Sequence, residues 1–492
     1  YVHVKIPNPK QGEWFEFSVS HNDIIFKLQN NWSEIPPREI SALRVYIKGE
    51  FEECGELYLA KASAWLEEGG RSITGFEKVD FNADLVTSIK RYWEACYPQF
   101  EKQAYDYLKH GNYPIGSYMD MANAIYWSPT ASKPVSLESP TTYRYSWHAL
   151  NAVSVLILAH DKSTEFTGLI YSARELVSDW TRESYFNVDE DQKYCWYDHG
   201  VAERTLVLLV MYELGTKYNF DHRFMARLFH VLVKHAQLME SEAFYASHQP
   251  TRYHNHAWFQ DIALMASAIA LEDRLDTRKW LSRGIERLTD QFNILIKEES
   301  GFSVFTENSI GYHGGILRIV EFASRLVTLS GKESKVAETA KSLEKWAATF
   351  IYPDGRLPAQ GDTFRKANPS SREEVVMPNV WQPECINLPE AGYLIVKGGS
   401  QKCPWMFSFL ATNLNRTHKH EDDLSFTLGL DGVEWLIDPS FYSHEYQKEL
   451  PNFLRSAAAH NLLFLEDKEY SIDPFPERTT LSAQETKFDS GE

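Results

Sequence analysis

Met406-Phe407-Ser408-Phe409-Leu410, Thr417-His418-Lys419-His420-Glu421-Asp422-Asp423, Leu424-Ser425-Phe426-Thr427-Leu428, Trp435-Leu436-Ile437-Asp438-Pro439 and Ala459-His460-Asn461 follow one another in the last fifth of the chain. The Phe- and Leu-rich runs, with Leu462-Leu463-Phe464-Leu465 after them, read as strands. On a strand, residues i and i+2 share a face, so His418 and His420 are predicted to point into one cavity. A buried-looking aspartate, Asp438, and a third histidine, His460, join them. Imidazole and carboxylate together supply both a proton-transfer group and a zinc-type ligand set. The plainer alternative, for a lone His-x-His, is a pair of exposed strand-edge histidines.

Working outward from this segment, the pattern changes. From about residue 82 to about 350, apolar residues recur at three and four, as in Phe224 to Met239, Gly315 to Leu329 and Ser334 to Thr349. Strand signals there are nearly absent. Helices in series with polar loops suggest stacked helical hairpins closing into an incomplete (α/α) toroid, with a solenoid as the alternative. Before them, Trp14 to Val19, Ala42 to Ile47 and Glu56 to Ala60 alternate like strands of a small β-sandwich. After them, Pro353 to Pro358 and Lys366 to Glu374 read as a linker. The predicted class is multidomain α+β: a jelly-roll-like β-sandwich module over 1–78, an α/α toroid over 79–370, and an antiparallel β-sheet domain over 371–492.

Length and composition agree with this organisation. A chain of 492 residues exceeds what one core serves, and 43% hydrophobic residues make it globular. The 14 Trp, 26 Tyr and 28 Phe would suit aromatic sugar subsites as well as helical cores. A net charge of −18 without a long basic stretch argues against nucleic acid. It also demands a locally positive cleft if the substrate is a polyanion. Five scattered cysteines (Cys54, Cys96, Cys195, Cys385, Cys403) form neither a disulfide framework nor a thiolate metal site. No apolar run is long enough to span a membrane, and no signal-peptide pattern opens the chain at Tyr1.

Three clusters in the helical part could carry chemistry. Tyr253-His254-Asn255-His256 and Thr306-Glu307-Asn308-Ser309-Ile310-Gly311-Tyr312-His313 lie at helix entrances, where capping is the structural alternative. In Trp196-Tyr197-Asp198-His199-Gly200-Val201-Ala202-Glu203-Arg204, Arg204 could simply pair with Asp198 or Glu203.

Together these motifs resemble the heparinase II/III-like superfamily of polysaccharide lyases, which includes heparan sulfate, other glycosaminoglycan and alginate lyases. The resemblance rests on Asn255-His256, the run Glu307 to His313, His418-x-His420 followed by Asp438-Pro439, and Ala459-His460-Asn461, and it covers residue 85 to the end. It departs at Ala257, where the family often has Gly. The resemblance implies cleavage of a 4-linked uronic-acid polymer by β-elimination, with Asn255 and His256 neutralising the uronate carboxylate. Tyr312 and His418 share the removal of the C5 proton and protonation of the leaving O4, either as one tyrosine or as a histidine base with a tyrosine acid. Tyr446, Arg455, Arg204, His199, Trp147, His148 and Glu307 are the candidate substrate contacts. His420, Asp438 and His460 match the family's metal positions, so a structural divalent ion of the Zn2+ type is expected to brace the strand of His418. An anionic polysaccharide is the expected partner, and a secreted, periplasmic or cell-surface bacterial setting the expected location. Two other classes stay open: a glycoside hydrolase with opposed carboxylates among Asp198, Glu203 and Glu307, and a non-catalytic polysaccharide-binding protein of the same fold.

Overall fold

The computed structural model describes residues 82–110, 113–115, 125–127, 141–181, 192–249, 251–332, 334–352, 355–364, 383–400, 402–412, 414–415, 417–431, 433–443 and 446–463. The expected β-sandwich over 1–78 lies outside them. The described part is rich in helix and carries a five-stranded antiparallel sheet. Its residues fall into two compact units, one built mainly from 103–245 and 266–281, the other from 87–102, 246–265 and 282 onward.

In chain order the first helices are α1 (Ala83–Cys96) and α2 (Phe100–His110), followed by the short paired strands β1 (Tyr113–Ile115) and β2 (Ile125–Trp127). Next come α3 (Thr141–His148), α4 (Asn151–His160), α5 (Leu169–Asp179), α6 (Gln192–Cys195), α7 (Asp198–Lys217) and α8 (His222–Glu240). Helix α4 is apolar around nearly its whole circumference and is buried accordingly, while α7 is buried on nearly all sides with Asp198, Glu203, Arg204 and Thr205 among its apolar residues. Helix α8 is instead amphipathic. Phe224, Leu228, Val231, Leu232, His235 and Leu238 line its buried face, and Asp221 caps it by accepting a hydrogen bond from Phe224 N at 3.0 Å. Between α3 and α4 the chain breaks at Leu150, which takes a left-handed φ of 61°. The break frees the His148 carbonyl, which accepts from the Arg204 guanidinium.

The remaining helices are α9 (Asn255–Leu271), α10 (Arg278–Leu295), α11 (Ile310–Leu329) and α12 (Val336–Thr349). Between α10 and α11 stands a hairpin that the helical periodicity concealed, β3 (Ile296–Glu299) with β4 (Phe302–Phe305). Its two-residue turn, Ser300-Gly301, has φ of 52° and 76°, the mirror-image turn that matches strand twist. Glycine-serine punctuation was the available signal.

The sheet is a meander of β5 (Glu384–Leu388), β6 (Tyr393–Ser400), β7 (Cys403–Leu410), β8 (Phe426–Leu430) and β9 (Val433–Leu436). One face buries Ile386, Leu388, Ile395 and Met406 against Trp346, Phe350 and Tyr352 of and after α12. At about 1.5–3 kcal/mol for each fully buried large apolar side chain, this layer fixes the sheet on the helix pair α11–α12. The register leaves Ser408 and Thr427 inside, and they form a chain of hydrogen bonds with Tyr352 Oη (2.8 Å to Thr427; 2.6 Å between the two hydroxyls). Cys96, Cys195, Cys385 and Cys403 are free thiols.

Candidate active site

The strand reading of the histidine motif needs correction. β7 ends at Leu410 and β8 begins at Phe426, so His418 and His420 sit on the connection between them. His418 takes a left-handed φ of 58°, and this turn, not strand alternation, brings both rings to one place. The connection is held by side chains. Asn308 Nδ2 donates to the carbonyls of Asn415 (2.7 Å) and Thr417 (3.0 Å), and Arg455 Nε donates to that of Lys419 (2.8 Å).

At the centre is a residue that the sequence did not single out, between the runs Pro353 to Pro358 and Lys366 to Glu374. Asp362 is buried; its Oδ2 lies 2.8 Å from His418 Nδ1 and its Oδ1 2.8 Å from His420 Nε2, while Tyr446 Oη donates to both oxygens. Burial alone would raise the Asp362 pKa, but hydrogen bonds from the two histidines hold it well below the usual carboxylate range. Gly361 is required before it. With φ of 60°, a Cβ there would stand 2.1 Å from the Asn308 carbonyl oxygen. Gln360-Gly361-Asp362-Thr363 was therefore legible as a turn, though not as a site.

His418 is gripped on both edges. Glu307 Oε2 lies 3.5 Å from its Nε2, opposite Asp362 on Nδ1. Burial works to lower its pKa, but the two carboxylates outweigh this and push it up to about 9, so the ring is held as imidazolium at neutral pH. Tyr312 stacks on it with ring centroids 3.5 Å apart. Tyr312 lies in the first turn of α11, where Ser309 accepts from its backbone N–H at 3.2 Å. Glu307 is fully buried and also accepts from Asn255 Nδ2 at 3.0 Å, so it acts on Asn255 and His418 instead of facing solvent. Its pKa is lowered: burial opposes, while the His418 hydrogen bond and the His254 charge prevail. Asn255 opens α9. His256 follows it, with Nδ1 2.9 Å from Gln249 Nε2 and its ring edge-on to His254. Asn255, Glu307, Tyr312, His418, Asp362 and Tyr446 thus form one connected cluster within one unit. Arg455 joins it, with its guanidinium 4.4 Å from the Tyr446 ring centroid.

Beside this cluster, one nitrogen each of His420 and His460 and one oxygen of Asp438 lie within 4.8 Å of one another, all buried. His420 Nδ1 and His460 Nε2 have no hydrogen-bond partner, and His460 Nδ1 is 3.0 Å from Asp438 Oδ2. Orphaned imidazole nitrogens beside a carboxylate suit a divalent cation, so the residues present could hold one. Lys419 between the two histidines is not a ligand. Fully buried, it donates to Asp422 Oδ1 (2.6 Å) and Asp423 Oδ1 (2.8 Å).

The remaining candidates, Trp147, His148, His199 and Arg204, belong to the other compact unit. Arg204 lies in α7. Fully buried, it donates from Nε to His235 Nε2 (3.0 Å) and to the carbonyls of His148 and Cys195, with its guanidinium 4.0 Å over Trp180. His148 is also buried, accepting from Trp180 Nε1 at 3.3 Å. Burial, with Arg204 nearby, drives its pKa down to about 3. Trp147 is half-buried. His199 stands with Glu203 at 3.5 Å, and Glu203 accepts from Tyr145 Oη at 2.6 Å.

Comparison with known proteins places this architecture. Residues 166–380 match the heparinase II/III N-terminus and residues 383–487 the heparinase II/III-like C-terminal domain. The chain belongs to the heparinase II/III-like family. Among solved structures it is similar to a heparinase III (16% identity, TM-score 0.58, 75% of this chain and 63% of that one). It is also similar to a mutant of heparan sulfate lyase HepC from Pedobacter heparinus (16% identity, TM-score 0.50, 76% of this chain and 64% of that one). At such identities the likeness concerns the fold, and the chain spans less than two thirds of the length of either. No curated protein sequence matches it.

Proposed function

We propose that this protein is a polysaccharide lyase that cleaves a uronate-containing glycosaminoglycan, of the heparan sulfate kind, by β-elimination. The observation that carries the reading is the stack of Tyr312 on His418 at 3.5 Å, tied through Glu307 to Asn255. Elimination needs a group that can take the C5 proton and return one to O4, beside donors that neutralise the adjacent carboxylate. Tyr312 is the proposed proton carrier. Because both ring nitrogens of His418 face carboxylates, that residue is better suited to steadying charge as a cation than to accepting the proton. Asn255 and His256 are proposed to hold the uronate, with Tyr446 and Arg455 along the sugar. A hydrolase would need two carboxylates free to act on the glycosidic bond. Of the candidates, Glu307 is buried and turned onto His418, Asp198 is buried, and Glu203 accepts from Tyr145 Oη beside His199.

A divalent ion, of the zinc type by its two imidazoles and one carboxylate, would be held by His420, Asp438 and His460 and would brace the His418 connection. Closure of the helices into an α/α toroid, domain limits near 78 and 370, and export to where such polymers occur belong to the same proposal.

The test is to offer the protein heparan sulfate, heparosan, hyaluronan, chondroitin and the two alginate homopolymers while following the ultraviolet absorbance of unsaturated uronate. A rise with heparan sulfate or heparosan is expected. Reducing ends without that absorbance would make the protein a hydrolase and end the lyase reading.

A further inference from the structure

Among the described residues, one carboxylate touches both halves of the histidine motif. Asp362 spends Oδ2 on His418 and Oδ1 on His420, with Tyr446 Oη at 2.8 and 3.0 Å from the two oxygens. An ionised carboxylate offers about four acceptor positions, so these contacts use it nearly to capacity. The consequence for His420 is specific. With Nε2 committed to Asp362, only Nδ1 remains, and it is buried without a partner. A carboxylate on the far nitrogen is the usual device that fixes the tautomer and ring orientation of a metal-binding histidine. The consequence for His418 is the same fixation of its ring, under the stacked Tyr312. Asp362 is itself anchored to the start of the Tyr312 helix. Its neighbour Thr363 takes a hydrogen bond from Gly311 N at 3.0 Å and lies 3.1 Å from Ser309 Oγ, while Gly361 packs on the Asn308 carbonyl.

We propose, resting on the lyase reading above, that Asp362 is a positioning residue that couples the His420–Asp438–His460 ion site to His418. Filling the ion site aligns His420, His420 fixes Asp362, and Asp362 fixes the ring on which Tyr312 stacks. The coupling is mechanical, through two hydrogen bonds to one carboxylate.

The test uses the full chain, stripped of metal, as wild type and as Asp362→Asn. Co2+ affinity is read from its visible absorbance, and the histidine ring nitrogens are followed by NMR as Zn2+ is added. Turnover is measured on a polymer that the wild type cleaves. The expected result for Asp362→Asn is Co2+ binding weakened about 10- to 100-fold, with kcat reduced and KM little changed. In the wild type, Zn2+ should move the His418 ring signals as well as those of His420 and His460; in the variant it should move only the ligands. Wild-type Co2+ affinity in Asp362→Asn overturns the proposal, as do His418 signals that shift alike in both proteins. Should the variant fail to fold, the wild type alone decides, because His418 signals unmoved by Zn2+ rule the coupling out. A wild type that binds Co2+ but makes no unsaturated uronate from any polymer defeats the lyase reading, while the affinity and NMR results still decide the role of Asp362.

Discussion

Two buried polar clusters in this molecule are built from histidines and differ in what surrounds them. Around Arg204, the histidines face a cation: burial, with Arg204 behind it, drives His148 down to about 3 and His235 down in the same direction, so both stay neutral. Around Asp362, the histidines face carboxylates, and His418 is pushed up to about 9 in spite of its burial. The first cluster spends its guanidinium on two carbonyls and a ring nitrogen, and so closes the break between α3 and α4. The second leaves atoms uncommitted: Glu307 Oε1, His420 Nδ1 and His460 Nε2 are buried without partners. Buried polar atoms without partners are costly, and His420 Nδ1 and His460 Nε2 lie beside Asp438, a set that suits a cation. The two clusters differ in the charge their histidines face, a guanidinium in the first and the carboxylates of Glu307 and Asp362 in the second.

Removing the hydroxyl proposed to carry the proton should have the largest effect. Tyr312→Phe is expected to lower kcat by about 10^2- to 10^4-fold with KM largely kept, as measured by uronate absorbance. Near-wild-type turnover would take Tyr312 out of the chemistry and blur the contrast between the clusters. On the architectural side, Arg204→Met leaves two carbonyls and a histidine without their donor. At about 1–3 kcal/mol for each unsatisfied group, denaturant unfolding should show a loss of about 3 kcal/mol or more. A loss under about 1 kcal/mol would show that this cluster does not hold the fold.

A titration sharpens the comparison further. His148 has its folded-state pKa at about 3, below the ordinary 6.5, so the unfolded chain binds more protons between these values. The stability it contributes is complete above 6.5 and is lost as the pH falls toward 3. The slope should reach about 1.4 kcal/mol per pH unit in unfolding experiments. Replacing His148 by a non-titrating residue should reduce the measured slope by that amount, leaving the part that His235 and the depressed carboxylates contribute. The smallest effect concerns the scaffold of the histidine connection. Asn308→Gly keeps the left-handed backbone, whose φ is 49°, but removes the bonds to Asn415 and Thr417. A cost of about 1–2 kcal/mol is expected in thermal unfolding. No change would mean that the connection holds its shape without Asn308.

The sequence alone was enough for the helical middle, the strands β7 and β8, and the gathering of His420, Asp438 and His460. The first two readings rest on periodicity, and the third on the resemblance that matched these residues to the family's metal positions. Asn255, Glu307, Tyr312 and His418 were legible as motifs, but their mutual contacts join segments some 50 to 110 residues apart. Three things were decided only in three dimensions. Asp362 was not singled out because nothing local marks a carboxylate that meets His418 and His420 from 56 and 58 residues away. His418 and His420 were right as a pair for the wrong reason, since a left-handed turn rather than a pleat brings them together. Arg204, a plausible ligand for a polyanion by charge, spends that charge inside its own unit. Local pattern reports which groups a segment carries; whether a charge is spent on structure or kept for a ligand depends on the partners that distant segments bring to it.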